Sequence, residues 1–269
     1  MRIAVIRISC ACVLLAWLVA ARPAAAQVTL ATVDLAVRID ARGQIVSARH
    51  PSRGQEYLAA GQPAPLVQIR IGTRVEPPAA MTWDERAGVI TLRFEPSGVR
   101  IQLKAVAKPT HLTLRIAAVE PAGLVDAVTW GPYPITIGDT VGEIIGVVRD
   151  TTFGLGLQVL NIKTLGGLPA HDEGSDPSRS RTAQSAPWGS VLQAYSLDRS
   201  RPRRVSGWTG QFPDMPVAPM PGETVVGSSI ARESHGVETD LERLPADLCA
   251  HVHAGRGDSP EAGAGNGRR

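Results

Sequence analysis

Three carboxylates crowd one glycine-rich stretch of this chain: Asp139, Glu143 and Asp150. Glycoside chemistry needs two such groups, one to protonate the leaving oxygen and one as base or nucleophile, about 5 to 9 Å apart. A rim carrying two of the three would give a glycosidase or a sugar epimerase its acid and its base. The same residues also read as ordinary loop positions, because Asp150 opens a turn and Asp139 follows Gly138. A second chemistry in the stretch is stacking. Sugars lay their apolar C–H faces on Trp and Tyr rings, which offer a broad flat surface with a polar edge. Trp130 and Tyr133 stand on Trp130-Gly131-Pro132-Tyr133-Pro134. The prolines fix their own φ and bias the residues before them towards extended geometry, so this segment reads as a rigid aromatic turn. Gln158 and Asn161 follow with amide donors and acceptors. Trp130, Tyr133, Gln158 and Asn161 are therefore the expected carbohydrate-binding set, with a poly- or oligosaccharide as the expected partner.

Other chemistries find little support. His50, His111 and His171 lack metal-ligand spacing. Cys249, His251 and His253 have it, and Arg256-Gly257-Asp258 spells an integrin tripeptide, but both lie in a segment whose composition cannot build a core. No G-x-S-x-G elbow occurs, and Gly154-Leu155-Gly156 lacks the third glycine of a dinucleotide fingerprint. The formal net charge is only +3, so nucleic acid is not an expected partner. The basic run Arg199 to Arg204 reads as a solvated loop. No metal and no cofactor is implied.

The elements that must position these residues are strands. Val33, Leu35, Val37 and Ile39 alternate with polar neighbours, as do Val67, Ile69 and Ile71, and Ile90, Leu92 and Phe94. The clearest hairpin pairs Val99, Ile101, Leu103 and Ala105 with Leu112, Leu114 and Ile116 across Lys108-Pro109-Thr110. A slip of one residue would bury its polar side chains, so its register is specified. Glu143 to Val148 and Phe153 to Leu160 read as strands joined by a turn over Arg149 to Thr152. The span Leu168 to Pro187 is a long polar loop, Trp188 to Leu197 returns to strand, and Glu223 to Ile230 is the last short strand. Short strands at close spacing, with no sustained helical period, predict an all-β protein, an antiparallel β-sandwich.

The chain ends frame this domain. Arg2 and Arg7, the apolar run Ala11 to Ala21 and Ala24-Ala25-Ala26 make a secretory leader over residues 1–26, cut before Gln27. The apolar run is shorter than the roughly 20 residues of a membrane span, so no stable insertion is expected after cleavage. Of the 3 cysteines only Cys249 follows the leader, so the exported chain must rely on its core rather than on a disulfide. Residues 27–231 form the predicted sandwich. Residues 232–269 lose the alternation and read as a disordered or frameshifted tail.

One segment carries a family likeness. Asp40 to Leu58 (DARGQIVSARHPSRGQEYL) resembles the opening of galactose-mutarotase-like supersandwich domains, where a strand, a glycine turn and a short G-x-E-Y-L element begin the fold. The stretch from Trp130 to Gly167 and Val217 to Ile230 are similar to uncharacterised bacterial members of that kind. The resemblance implies a supersandwich standing at the N-terminus of a secreted glycoside-hydrolase-like protein. It carries over no catalytic His or Glu. The expectation is a non-catalytic carbohydrate-binding or structural module, secreted or periplasmic. A self-contained enzyme using Asp139, Glu143 or Asp150 is the alternative, and a periplasmic scaffold for a protein partner is a further one.

Overall fold

A computed structural model describes residues 27–142, 146–167, 181–205 and 215–236. Glu143, the expected leader, much of the expected polar loop, Trp208 and the chain beyond residue 236 lie outside the described residues. The described chain is all-β and antiparallel, without a helix, and its sheets make a sandwich-like arrangement. A three-stranded sheet opens it: β1 (Val28–Ala31), β2 (Ala36–Ile39) and β3 (Ile45–Arg49). One main layer contains β4 (Val67–Ile71), β5 (Arg74–Glu76), β10 (Ala127–Ile135), β14 (Thr164–Gly166) and β16 (Gly189–Leu197), in the order β14-β16-β10-β4-β5, with β15 (Ala183–Ala186) also paired to β16. The other layer has eight strands. They are β6 (Pro78–Asp84), β7 (Val89–Phe94), β8 (Arg100–Ala107), β9 (His111–Glu120), β11 (Thr140–Gly142), β12 (Val147–Arg149), β13 (Phe153–Val159) and β19 (Ser229–Gly236), ordered β11-β12-β13-β19-β9-β8-β7-β6. A small pair, β17 (Arg203–Val205) with β18 (Met215–Val217), completes the set.

The alternation read in the sequence places the core. Ile101, Leu103 and Ala105 of β8 and Leu112, Leu114 and Ile116 of β9 are all buried on one face. The three-stranded sheet contributes Leu35, Val37 and Ile39 to the same cluster. Val33 does not follow its pattern: it is 66% exposed, because Asp34 and Leu35 donate their amides to the Thr32 hydroxyl and the chain turns there before β2 begins. The motif Glu56-Tyr57-Leu58 docks this sheet. The Glu56 carboxylate accepts from Ser47 Oγ and from the amides of Ala48 and Leu58. The Tyr57 ring stacks on Phe153 with centroids 4.4 Å apart.

The expected loop Leu168 to Pro187 holds β15, the expected strand Glu223 to Ile230 begins only at Ser229, and two further differences bear on the core. The aromatic turn is a strand: Trp130 to Pro134 lie within β10, an interior strand of the six-stranded layer. The pairing of β10 with β16 shifts register between Trp130 and Tyr133, at Gly131-Pro132. A bulge adds one residue to the strand, so two side chains three apart face the same way. Trp130 and Tyr133 therefore both point inward and are fully buried. The second difference is β19. The loss of alternation after Ile230 reads as the end of the domain. The strand instead continues to Gly236, paired to β13 on one side and to β9 on the other.

The inward positions of β19 explain that reading. Ile230 is followed inward by Arg232 and Ser234 rather than by aliphatics. Arg232 is only 2% exposed, between Leu157 of β13 and Leu112 of β9. Its guanidinium lies over the Tyr133 ring, 4.6 Å from the centroid. Nη1 and Nη2 have no acceptor among the described residues. Burial draws the guanidinium pKa down, and Tyr133 opposes that shift. A stacked ring returns only part of the several kcal/mol that removing such a charge from water costs. Arg232→Met, which keeps the length and drops the charge, is expected to stabilise the protein by about 1–4 kcal/mol. Denaturant titration reads this as a raised midpoint. A lowered midpoint would show that the guanidinium holds a favourable partner.

Candidate functional site

The most site-like concavity lies on the outer face of the six-stranded layer. It begins with the β15–β16 hairpin, whose register pairs Ala186 with Gly189 and leaves Pro187 and Trp188 as a two-residue turn. Pro187 fixes its own φ there. Gly189 adopts φ +135°, a backbone region that side-chain-bearing residues rarely enter. A Cβ on it would stand 2.5 Å from the Ile135 carbonyl oxygen and from Thr136. The glycine thus lets the turn press against the end of β10. Ser190 Oγ fixes the contact by donating to the Ile137 carbonyl at 2.6 Å. Trp188 is held at the tip of this clamp with 37% of its surface exposed.

Beside Trp188 the sheet forms a cleft of about 300 Å³. Its floor is Pro132 and Pro134 of β10 with Val191 and Gln193 of β16. Gln184 and Ser185 of β15 and Gln62 and Pro63 of the loop before β4 make its walls. The register explains the floor: Pro134 pairs with Val191, which also pairs with Gln184, so these side chains share one face. Gln193 is two residues on from Val191 and only 2% exposed, and its side chain borders the open cleft. Gln184 Nε2 donates to the Arg181 carbonyl at 3.4 Å. None of the described residues that line it is Asp, Glu, Lys, Arg or His.

The residues anticipated for sugar binding do not gather here. Trp130 and Tyr133 offer no surface to a ligand, and the Tyr133 hydroxyl donates to the Leu66 carbonyl at 2.7 Å. Burial raises the Tyr133 phenol well above its usual pKa, with Arg232 opposing. Asn161 is a tie between loops: its Nδ2 donates to the Gly227 carbonyl and to Ser229 Oγ, while its Oδ1 accepts from Lys163 N and Thr164 Oγ1. Gln158 lies on the eight-stranded layer and donates to Glu233 at 3.1 Å. Trp188 was legible only as the start of a strand. Its signal was Pro-Trp-Gly between two strand segments, which marks a tight turn and hence an exposed tip.

The carboxylates are partly brought together. Thr140 pairs with Arg149, so Asp139 and Asp150 flank the same end of the β11–β12 hairpin. Asp139 is exposed. Asp150 is committed to its turn, accepting from the Thr152 amide at 2.6 Å, the Thr152 hydroxyl at 2.9 Å and the Phe153 amide at 2.8 Å. Partial burial acts to raise its pKa, but these donors and the nearby Arg53 charge outweigh burial and hold it below the ordinary value. A group held ionised in this way is a poor general acid. Neither Asp139 nor Asp150 lines the cleft beside Trp188.

Two other constellations fall short of a site. A larger, more open hollow of about 820 Å³ lies over β7 to β9, among Arg93, Glu95, Arg100 and Glu120. Its charges satisfy one another, Arg93 with Glu95 and Arg100 with Glu120, each at 3.2 Å and more than half exposed. Such surface pairs are ordinary and contribute little. The smaller cleft is the better candidate because an exposed indole stands beside its amide side chains. Asp34, His50 and Ser52 line up as carboxylate, imidazole and hydroxyl, with His50 Nε2 3.8 Å from Asp34 and Nδ1 3.3 Å from Ser52 Oγ. The first distance exceeds a hydrogen bond. The Arg53 amide donates to that same Nδ1, which marks a local turn. Among the described residues no three His, Cys, Asp or Glu side chains converge as metal ligands. No protein-family model and no characterised protein matches the sequence.

The Asp150 turn predicts a pH dependence. Its folded pKa is depressed, so the stability it contributes is present above the unfolded value of 3.8 and is lost as pH falls through the folded value. Asp150→Ala is expected to destabilise by about 1 kcal/mol at neutral pH. The gap between variant and wild type, followed by denaturation from pH 7 downwards, should narrow only below pH 4 (approximately the unfolded value). A gap that does not change with pH would contradict an ionised Asp150 cap.

Proposed function

We propose that this chain is a non-catalytic carbohydrate-binding module of an exported glycoside-hydrolase-like protein, with the cleft beside Trp188 as its binding surface. One observation carries the reading: an exposed indole at a hairpin tip borders a cleft lined by the side chains of Gln62, Gln184 and Gln193. An aromatic face suits the apolar side of a pyranose, and amides suit hydroxyls, which both donate and accept. The size agrees, since about 300 Å³ is at the small end of ligand pockets and suits roughly one or two sugar rings. Among the described residues the lining is amide, hydroxyl and apolar, the chemistry of binding, whereas hydrolysis needs two carboxylates. The secretory leader and the supersandwich-like opening at Asp40 to Leu58 support an extracellular, sugar-handling context.

A glycan array probed with the full chain tests this. At least one glycan is expected to bind, Trp188→Ala to weaken that binding at least tenfold, which is about 1.4 kcal/mol, and nitrophenyl glycosides to stay unhydrolysed. Binding unaltered by Trp188→Ala would move the site elsewhere. Turnover abolished by Glu143→Gln would favour the enzymatic alternative.

A further inference from the structure

The geometry points to the far end of β16 from the Trp188 hairpin as a docking surface for an anionic phospholipid bilayer. The feature that carries it is a turn of reversed polarity. Between β13 and β14 the chain crosses from the eight-stranded layer to the six-stranded one through Leu160, Asn161, Ile162 and Lys163. A surface turn ordinarily shows polar side chains to water. Here the Asn161 amide bonds Gly227 and Ser229 of the adjoining loop, and the Lys163 ammonium donates to the carbonyls of Thr224 and Val226 at 3.4 and 3.1 Å. Leu160 and Ile162 are left outside, 47% and 81% exposed, with Val159 beside them at 42%. The polar ties fix the turn, so these apolar side chains are held in water. That arrangement is unfavourable until an apolar surface covers them.

The charge alongside indicates what covers them. Glu223 lies 3.7 Å from Lys163, and its carbonyl accepts from the Arg199 amide at 2.8 Å. Met220, 47% exposed, donates its own amide to the Arg199 carbonyl. The apolar tip thus adjoins the start of the basic run Arg199-Ser200-Arg201-Pro202-Arg203-Arg204. Asp126 and Asp198 engage Arg201, and Glu223 engages Lys163. Against these three acids stand Lys163 and the four arginines of the run, so these groups keep a positive excess. Apolar side chains projecting beside cations match a lipid surface, whose acyl boundary receives Leu160 and Ile162 while anionic head groups meet the arginines. A second copy of the chain fits less well, because two such ends would set like charges against each other. The contact is peripheral, and nothing in it crosses the bilayer. The nine residues of β16, about 30 Å of strand, separate this end from Trp188, so a docked chain holds its cleft away from the lipid.

Hydrogen exchange of the full chain with vesicles tests the inference, because it locates the contact even though the apolar run Ala11 to Ala21 is itself membrane-seeking. One set of vesicles is phosphatidylcholine alone, and the other adds about 30 mol% phosphatidylglycerol. The anionic vesicles are expected to slow exchange at residues 159–165 and 217–224 about fivefold or more. Neutral vesicles should leave those residues unchanged. Raising salt to about 0.5 M, which shortens the range of charge attraction to roughly 4 Å, should restore fast exchange. Ile162→Asp should do the same, with equal melting temperatures as the check on folding. Exchange at 159–165 that anionic vesicles leave unaltered, or slow in both wild type and Ile162→Asp, would overturn the proposal. Equal slowing by neutral vesicles would overturn the assignment to an anionic surface. Slowing that appears without vesicles as protein concentration rises would give the patch to a second copy and overturn the lipid reading.

Discussion

The bulge at Gly131-Pro132 is the constraint on which core and cleft both depend. A regular strand would send Trp130 and Tyr133 to opposite faces. The extra residue sends both rings inward, where they fill the space between the layers and Tyr133 supports Arg232. The same shift leaves Pro132 and Pro134 facing out as a stiff apolar floor. Pro132 is tolerated because a bulge leaves a residue unpaired, so its missing N–H deprives no ladder partner, while Pro134 is paired with Val191 and accepts from the Ala59 amide. One local irregularity thus divides the aromatic segment into a buried half and a surface half.

The proposed binding face is built on close backbone approach rather than on a loop. The β15–β16 turn meets the end of β10 at Gly189, where any Cβ would collide with the Ile135 carbonyl, and Ser190 fastens the two together. Trp188 is therefore carried by paired strands on a short tether. A ring immobilised before its ligand arrives loses little conformational freedom on binding. The cleft beside it is small, and amide and apolar side chains make up most of its described lining.

Much of the scaffold was legible in the sequence, because period-two alternation maps directly onto faces of a half-buried sheet. The β8–β9 hairpin, the turn at Asp150 and the all-β class follow from it. The misreadings share a cause, in that each sits where local chemistry and tertiary role diverge. Two prolines around Tyr133 carry every local mark of a turn, and only strand pairing reveals a bulge. Inward arginine and serine break the pattern in β19, so the strand is invisible to periodicity although it is hydrogen-bonded on both sides. Val33 continues an alternation that a Thr32-centred turn interrupts. For the site, exposure decides, and exposure is not a property of residue type: Trp130 and Trp188 are the same side chain in opposite environments. Gln193 was unreadable for the same reason, since its amide matters only once the sheet has buried it beside an opening.

The central claim is that a glycan sits on the outer face of the six-stranded layer, against Trp188. Amide chemical-shift mapping by NMR, with an oligosaccharide chosen from the glycans bound on the array, locates a ligand without presuming where it binds. Shifts clustered at residues 184–193, at 131 and 133, and at 62 are the expected pattern, together with a moved Trp188 indole resonance. Shifts confined to the eight-stranded layer, around Gln102, Thr113 and Gln158, would contradict the account.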